Sequence, residues 1–392
     1  MAMEEKQKAE LETAVKADAK PKKEKGEPLF HMVKRGQLPL WGAIGIRAAA
    51  IILALIVGGI VSVFVTGKNP IDIYVSIYEG AFGNVDRTWI TFQEIAVLLG
   101  ISLAVTPAFK MKFWNTGAEG QVLIGCLATA ACMFWIGGSL PEWLLIVVML
   151  VVSILAGVLW GVLPAVFKAY WGTNETLFTL MMNYVAIQLV ESFLKIADKS
   201  GSNTVGPTIL THGWVPQLFG VQFLLNIVVV AALCVLMHIY LKKTKQGYEI
   251  SVVGESENTA RYVGINVKKV IIRTMAISGA ICGLIGFLLV GATSHSIDAD
   301  LVSGRGFTAI MVSWLAKFNP IVMIFTTFLL VFLDQGAGEM SSVLGLNESY
   351  GEILTGIILF FIIGCEFFIQ YKINVNKNHK IFAKKHMKEA QK

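Results

Sequence analysis

Charge is scarce in this chain of 392 residues. Asp, Glu, Lys and Arg together make up 15%, against about 25% in a soluble globule. Cysteine is scarcer and poorly spaced for chemistry. Cys126, Cys132, Cys234, Cys282 and Cys365 all fall in apolar runs with no CxxC pair, and their odd number argues against a disulfide framework. They read as small buried hydrophobes. The six histidines are scattered, with no HExxH and no carboxylate at fixed spacing, so no metal and no cofactor is expected. A phosphate loop of the form GxxxxGK followed by Ser or Thr is also missing. Any ATP-driven step therefore needs nucleotide bound on another chain. No paired acid and base, nucleophile or metal constellation marks an enzyme.

Apolar sequence is what remains. Hydrophobic residues make up 55% and mean hydropathy is +0.65, which defines an all-α polytopic integral membrane bundle. At roughly 20 residues per span, about ten transmembrane helices are expected, over 43–66, 89–109, 113–137, 143–167, 175–197, 221–241, 270–292, 306–318, 320–338 and 352–371. Segment 306–318 is too short to cross as a straight helix. It is either re-entrant or continues through Pro320 as one broken element.

Basic residues orient the bundle. With both termini in the cytoplasm, 27 of the 33 Lys and Arg residues lie on the inner side, as the positive-inside rule requires. The net charge of +6 then reports orientation and contact with anionic membrane lipids, not nucleic acid. Residues 1–40 are expected to be a disordered cytoplasmic tail, because the first 35 carry nine basic and seven acidic side chains and few large apolar ones. The first span reads as an uncleaved anchor. Residues 41–372 form the membrane domain, with a cytoplasmic loop at 242–270, and 373–392 form a basic cytoplasmic tail. Ile71, Val75 and Tyr78 recur at helical spacing between Gly67 and Arg87, which suits a helix lying along the outer interface.

The stretch from Lys242 to Arg273 holds seven basic residues between two apolar runs. Its centre, Glu255 to Gly264, is expected to form a short helix with Ala260 and Val263 on one side and Glu257 and Arg261 on the other. Such a helix, presented to the cytosol from a membrane core, suits docking of a soluble partner.

Three polar clusters interrupt the spans. Trp114 to Gln121 supplies Asn115, Thr116, Glu119 and Gln121 together with Gly117 and Gly120. Two readings stand: Asn115 and Thr116 cap a helix with Glu119 on its dipole, or the cluster faces a bundle interior or aqueous cavity. In the second cluster, Asn174 or Thr173 caps the fifth span. Beyond it, Thr176, Thr179, Asn183 and Gln188 form part of a polar stripe that either glues helices or lines a solute path, and Asn183 is assigned to the path. The third cluster, Ser303 to Phe307, offers a glycine turn and a ring, Phe307, able to stack on a planar solute.

Four segments, WNTGAEGQVLIG, NETLFTLMMNYVA, GESENTARYVGINV and GRGFTAIMVSWLAKFNP, lie in this order over roughly residues 89–320. They resemble the permease subunits of ABC importers of the branched-chain amino acid and ribose class. More narrowly, the chain is similar to nucleoside-type permeases working with a basic-membrane-protein lipoprotein. Asn115, Gly117, Ala118, Glu119, Gly120 and Gln121 match the first family motif, with Thr116 in place of the usual Ile. Asn174, Glu175, Thr179, Met181, Asn183 and Tyr184 match the second. Gly254, Ala260, Arg261, Tyr262, Gly264 and Ile265 match the third, with Thr259 where Ala is common. Gly304, Gly306, Phe307 and Ile310 match the fourth, whereas Met311 and Ser313-Trp314 depart from a small A-V-A run, and Trp314 is bulky enough to narrow a path.

The resemblance implies a permease of the bacterial cytoplasmic membrane. Its expected partners are a cytoplasmic ATP-binding subunit, a second permease subunit of the same or a different chain, and an extracytoplasmic substrate-binding lipoprotein. The expected solute is a nucleoside. Asn115, Glu119, Gln121, Thr179, Asn183 and Phe307 are the path candidates, and Gly254, Glu255, Glu257, Ala260, Arg261, Tyr262 and Gly264 the coupling candidates. Rival expectations are a sugar or branched-chain amino acid permease and a stand-alone secondary transporter. Against the latter stand the 254–264 helix and the lack of a row of intramembrane carboxylates.

Overall fold

The computed structural model describes residues 30–34, 40–67, 69–198, 208–221, 223–345 and 348–375. Helix dominates, because a bilayer core has no water and each span must satisfy its own backbone groups. The helices are α1 (Leu40–Thr66), α2 (Pro70–Phe82), α3 (Val85–Lys110), α4 (Ala118–Ile136), α5 (Glu142–Trp171), α6 (Glu175–Ala197), α7 (Leu224–Lys243), α8 (Lys245–Glu255), α9 (Glu257–Tyr262), α10 (Val267–Leu288), α11 (Arg305–Leu315), α12 (Pro320–Leu344) and α13 (Glu348–Gln370). A π-helical turn, Leu289–Ser294, ends α10. Strands β1 (Phe30–Lys34) and β4 (Tyr371–Val375) pair antiparallel, as do the two-residue strands β2 (Thr208–Ile209) and β3 (Ser296–Ile297).

Each expected span overlaps a helix. Among the described residues eight helices are long and apolar enough to cross a membrane, and Ile353–Ile369 in α13 is a shorter apolar stretch. The remaining element is α11, whose 11 residues rise about 16 Å, half of a hydrocarbon core of about 30 Å. It does not run on into α12. Lys317 and Phe318 turn the chain with φ of 50° and 58°, and Asn319 Oδ1 accepts from Ile321 N at 3.2 Å to start α12 afresh at Pro320. Asparagine opens other helices in the same way. Asn84, Asn174 and Asn266 each accept from a backbone N–H three residues on, satisfying donors that a helix start leaves free.

The chain divides into two compact units, residues 1–60 with 356–392 and residues 61–355. In the first, β1 and β4 pair from Phe30 opposite Val375 to Lys34 opposite Tyr371. A strand thus forms within the stretch expected to be a disordered tail; residues 1–29 and 376–392, the bulk of both expected tails, lie outside the described residues.

In the second unit, glycines set how closely α4, α5 and α10 approach. A methyl group on Gly161 would sit 2.8 Å from the Met275 carbonyl oxygen, and one on Gly125 would sit 2.8 Å from Gly283 Cα. A methyl on Gly157 would strike the Gly279 carbonyl. Lipid tails are as apolar as leucine, so such backbone contact is a main source of helix association in a membrane. Helix α2 buries Ile73, Ile77, Gly80 and Ala81 and leaves Ile71, Val75 and Tyr78 exposed, the amphipathic pattern expected of it. Its buried face meets α12, where Gly80 lies against Gly336 and Glu339.

Candidate functional site

After α3 the chain turns at Lys112, with φ of 61°, and runs irregularly from Phe113 to Gly117. The third span therefore begins as helix only at Ala118, and its N-cap, Gly117, makes no side-chain capping bond. Asn115 is fully buried. Its Oδ1 accepts from Gly117 N at 3.1 Å and from Gln121 Nε2 at 3.3 Å, and its Nδ2 donates to Ser278 Oγ on α10 at 3.4 Å. Gln121 Oε1 is buried with no partner.

Glu119, one residue into α4, reaches the broken start of α11. Its two carboxylate oxygens accept from Gly304 N at 2.8 Å and Gly306 N at 2.7 Å. Gly304 takes the left-handed φ of 72°, and a methyl on Gly306 would fall 2.7 Å from the Glu119 carboxylate. Glycine is thus required at both sites, one for conformation and one for approach. A carboxylate at a helix N-terminus satisfies free N–H groups and complements the helix dipole. Arg305, between the two glycines, turns to Glu94 on α3 at 2.8 Å. One ion pair and one carboxyl bonded to two backbone N–H groups therefore anchor α11 where it begins.

The start of α6 is clipped to the same turn of α4. Thr116 Oγ1 donates to the Thr176 carbonyl at 3.1 Å, and Thr116 N donates to Thr179 Oγ1 at 3.2 Å. Asn183 Oδ1 accepts from Gly120 N, and its Nδ2 donates to the Thr116 carbonyl, both at 2.9 Å. Both ends of this amide are therefore engaged with backbone. Asn174 is the side chain that caps α6, and Glu175 pairs with Lys168 at 2.7 Å. Asn115, Glu119, Gln121, Thr179 and Asn183 thus gather around the first turn of α4. Phe307 does not join them: with Met311 and Trp314 it forms an outward face of α11, at i, i+4 and i+7.

A second polar junction was not singled out from sequence. Gln93 on α3, Asn226 on α7 and Thr293 in the π-turn meet in the interior. Gln93 Nε2 and Asn226 Nδ2 both donate to Thr293 Oγ1 at 2.8 Å, and Asn226 Nδ2 also lies 3.0 Å from Gln93 Oε1. Asn226 Oδ1 has no partner. Lone amides inside apolar runs were the available signal, since polar groups at membrane depth usually carry a role. Beyond the π-turn, His295 stacks on Trp214 with centroids 4.1 Å apart, and burial pushes its imidazole below the usual range.

The loop at 242–270 folds into an elbow. Gly254 lies against the backbone of Lys110 and Met111 at the end of α3, where a side chain would collide. Glu249 on α8 pairs with Arg273 on α10 at 2.9 Å. Glu255 closes α8, Ser256 caps α9 through Thr259 N, and Gly264 turns out with φ of 80°. The short helix is thus Glu257–Tyr262, tighter than the expected Glu255 to Gly264. Ala260 is fully buried, Tyr262 is 94% exposed, and Glu257 and Arg261 pair across one turn at 3.4 Å. Val263, expected beside Ala260, instead faces out, because the helix has ended and Ile265 N closes on the Ala260 carbonyl. Among the described residues no group of His, Cys, Asp or Glu could hold a metal ion.

The fold is that of a multi-pass helical membrane protein, with buried polar breaks and a braced elbow between α7 and α10. Residues 88–363 match the family of the branched-chain amino acid transport system permease component, and the chain belongs to that family, as an ABC transporter permease. It is 29% identical over 322 residues to the guanosine ABC transporter permease protein NupP of Bacillus subtilis, spanning 80% of this chain and 91% of that one. Similarity to the glucose ABC transporter permease protein TsgB13 of Haloferax volcanii is 26% over 357 residues, covering 87% and 92%. The nucleoside ABC transporter permease protein NupB of Lactococcus lactis is 26% identical over 328 residues, covering 80% and 88%.

Proposed function

We propose that this chain is the membrane-spanning subunit of a nucleoside importer, driven by ATP hydrolysis on a cytoplasmic partner that docks on α9. The observation that carries the coupling role is the elbow: a six-residue helix, too short to be stable alone, is held through Ala260 and presents Tyr262, Val263, Glu257 and Arg261 outward. Gly254, Glu255 and Gly264 shape the bends on either side. The nucleoside assignment is supported by the likeness to the guanosine and nucleoside permeases, and the likeness to the glucose permease supports a sugar as the second reading. A second permease subunit completes the path, and an extracytoplasmic lipoprotein delivers solute. Both termini lie in the cytoplasm; the pairing of β1 with β4 supports a common side, and the basic residues support the inner one.

In this reading Asn115, Glu119, Gln121, Thr179 and Asn183 hold the walls of the path in place, and Phe307 contributes an apolar contact to it. The test is Arg261→Glu, with deletion of Glu257–Tyr262 as the stronger variant. Membrane abundance should hold while co-purification of the ATPase and uptake fall together, since a few central contacts dominate such docking. Uptake should be competed by guanosine rather than by glucose or leucine. Parental pull-down and uptake in both variants would remove the coupling role, and competition by glucose alone would select the sugar reading.

A further inference from the structure

A cavity of about 550 Å³ lies between α3, α7 and α12. Its wall is apolar, with Leu99 from α3, Val230 from α7, and Ile324 and Phe328 from α12. The Cys234 thiol, also in the wall, is spent on the Pro320 carbonyl at 3.4 Å. From Ile227 to Ile239 the cavity follows α7 for about 18 Å, close to the roughly 15 Å of one leaflet of a hydrocarbon core. Spread over that length, the volume gives a mean cross-section of about 30 Å². One hydrocarbon chain fits such a channel, whereas a helix about 10 Å across needs about 80 Å². A nucleoside is no better suited, because its hydroxyls and base edges would find no partners on this wall.

One end of the cavity is different. His238, beside Ile239 in the wall, has its Nδ1 buried without a partner. Lys242 lies one helical turn further along the same face of α7. Lys110, which ends α3, is near enough to Lys242 for the two charges to repel. Neither lysine makes an ion pair among the described residues. Two like charges without an anion, set at the end of an apolar cavity, are complementary to a molecule that joins an anion to a hydrocarbon chain. Basic pockets between spans bind anionic lipid head groups on the same principle.

We propose that this cavity is the binding site of one anionic glycerophospholipid, drawn from the leaflet on the side of the elbow. One acyl chain fills the space between α3, α7 and α12. An ester carbonyl accepts from the His238 imidazole, and the phosphate lies between Lys110 and Lys242, where it relieves their repulsion. A zwitterionic lipid offers the same chain and esters but no net charge, so it binds more weakly. Because α8 follows α7 after a single residue, Thr244, the bound lipid also braces the elbow from the membrane side.

The test titrates the full chain, purified and stripped of lipid in detergent, and counts bound lipid by native mass spectrometry. Dioleoylphosphatidylglycerol should fill one saturable site, with dioleoylphosphatidylcholine and dihexanoylphosphatidylglycerol each binding at least tenfold more weakly. The double change Lys110→Gln with Lys242→Gln should weaken the phosphatidylglycerol roughly thirtyfold and leave the phosphatidylcholine as it was. Ala231 lines the cavity from an exposed position, so Ala231→Trp should fill the space and weaken both dioleoyl lipids. Equal affinity for the two dioleoyl lipids, unmoved by the lysine changes, means general lipid contact and overturns the site. Equal binding of the dihexanoyl form, or displacement of the lipid by inorganic phosphate at millimolar concentration, makes it a phosphate site without a chain and also overturns it. Cross-linking of Ala231→Cys to a second copy in membranes would seat protein there instead, with the same consequence. Should Ala231→Trp fail to fold, the chain-length comparison on the parent protein decides alone.

Discussion

Two helices of the bundle break inside it, and they are finished in opposite ways. At the start of α11 the free N–H groups of Gly304 and Gly306 are taken by one carboxylate, Glu119. At the end of α10 the loose carbonyls are shared out among neutral donors. Thr293 and Ser294 hydroxyls return to Leu288 and Leu289 at 3.3 and 2.9 Å, His295 N donates to Val290 at 3.1 Å, and Val215 N donates to Gly291 at 2.9 Å. A helix N-terminus is a compact positive site that a single anion can serve. A π-turn spreads its unpaired carbonyls along the chain, so several groups must serve it. The first arrangement concentrates its dependence on one side chain, and the second distributes it.

That contrast ranks the consequences of substitution. Glu119→Leu should be the most damaging, because it strips the N–H groups of Gly304 and Gly306 of a charged acceptor and leaves the Arg305 and Glu94 pair as the remaining charged contact at the start of α11; a loss of roughly 3 kcal/mol or more is expected. The fraction of detergent-extracted protein that stays monodisperse on heating measures it. Glu119→Gln, which keeps one acceptor, should recover part of the loss. Parental thermal stability in Glu119→Leu would dissolve the contrast between the two breaks.

At the π-turn the corresponding change is Thr293→Val, close in shape but without the hydroxyl. It leaves Gln93 and Asn226 with amide donors aimed at a methyl group, for a cost of about 1–3 kcal/mol. Asn226 Nδ2 retains Gln93 Oε1 at 3.0 Å, and the other carbonyl contacts of the turn persist, so the effect should fall below that of Glu119→Leu. Melting of the two variants in one detergent compares them directly, and a larger loss at Thr293 would reverse the ranking.

The spans were readable because a bilayer imposes their length and composition, and the asparagine caps because capping is local. Segment 306–318 was readable as too short to cross. What could not be read was pairing at long range. Glu119 stood out in sequence, yet its partners Gly304 and Gly306 lie 185 and 187 residues further on. LVGATS looks like the continuation of an apolar run, and only the convergence of Gln93 and Asn226 marks it as a turn. The elbow was legible in position but not in its last residue, since the side on which Val263 falls depends on where α9 stops. Asn183 was legible as a polar group at depth, but the direction of its amide depends on α4 lying alongside.

Asn183 supplies the mildest case. Asn183→Leu removes one bond to Gly120 N and one to the Thr116 carbonyl, and hydrogen bonds between membrane helices average roughly 0.6 kcal/mol, so the expected loss is about 1 kcal/mol in total. The volume is nearly conserved, and Thr116 still holds α6 through Thr176 and Thr179. Uptake per inserted molecule should therefore change less than twofold if the amide is only a clip, because a clip alters the amount of folded protein rather than the passage of solute. The discriminating measurement is guanosine uptake normalised to inserted protein, set beside the thermal stability of the same preparation. A several-fold drop in normalised uptake at near-parental stability would instead place the Asn183 amide in contact with solute during the transport cycle, and α6 would then break its bonds to α4 as the path opens.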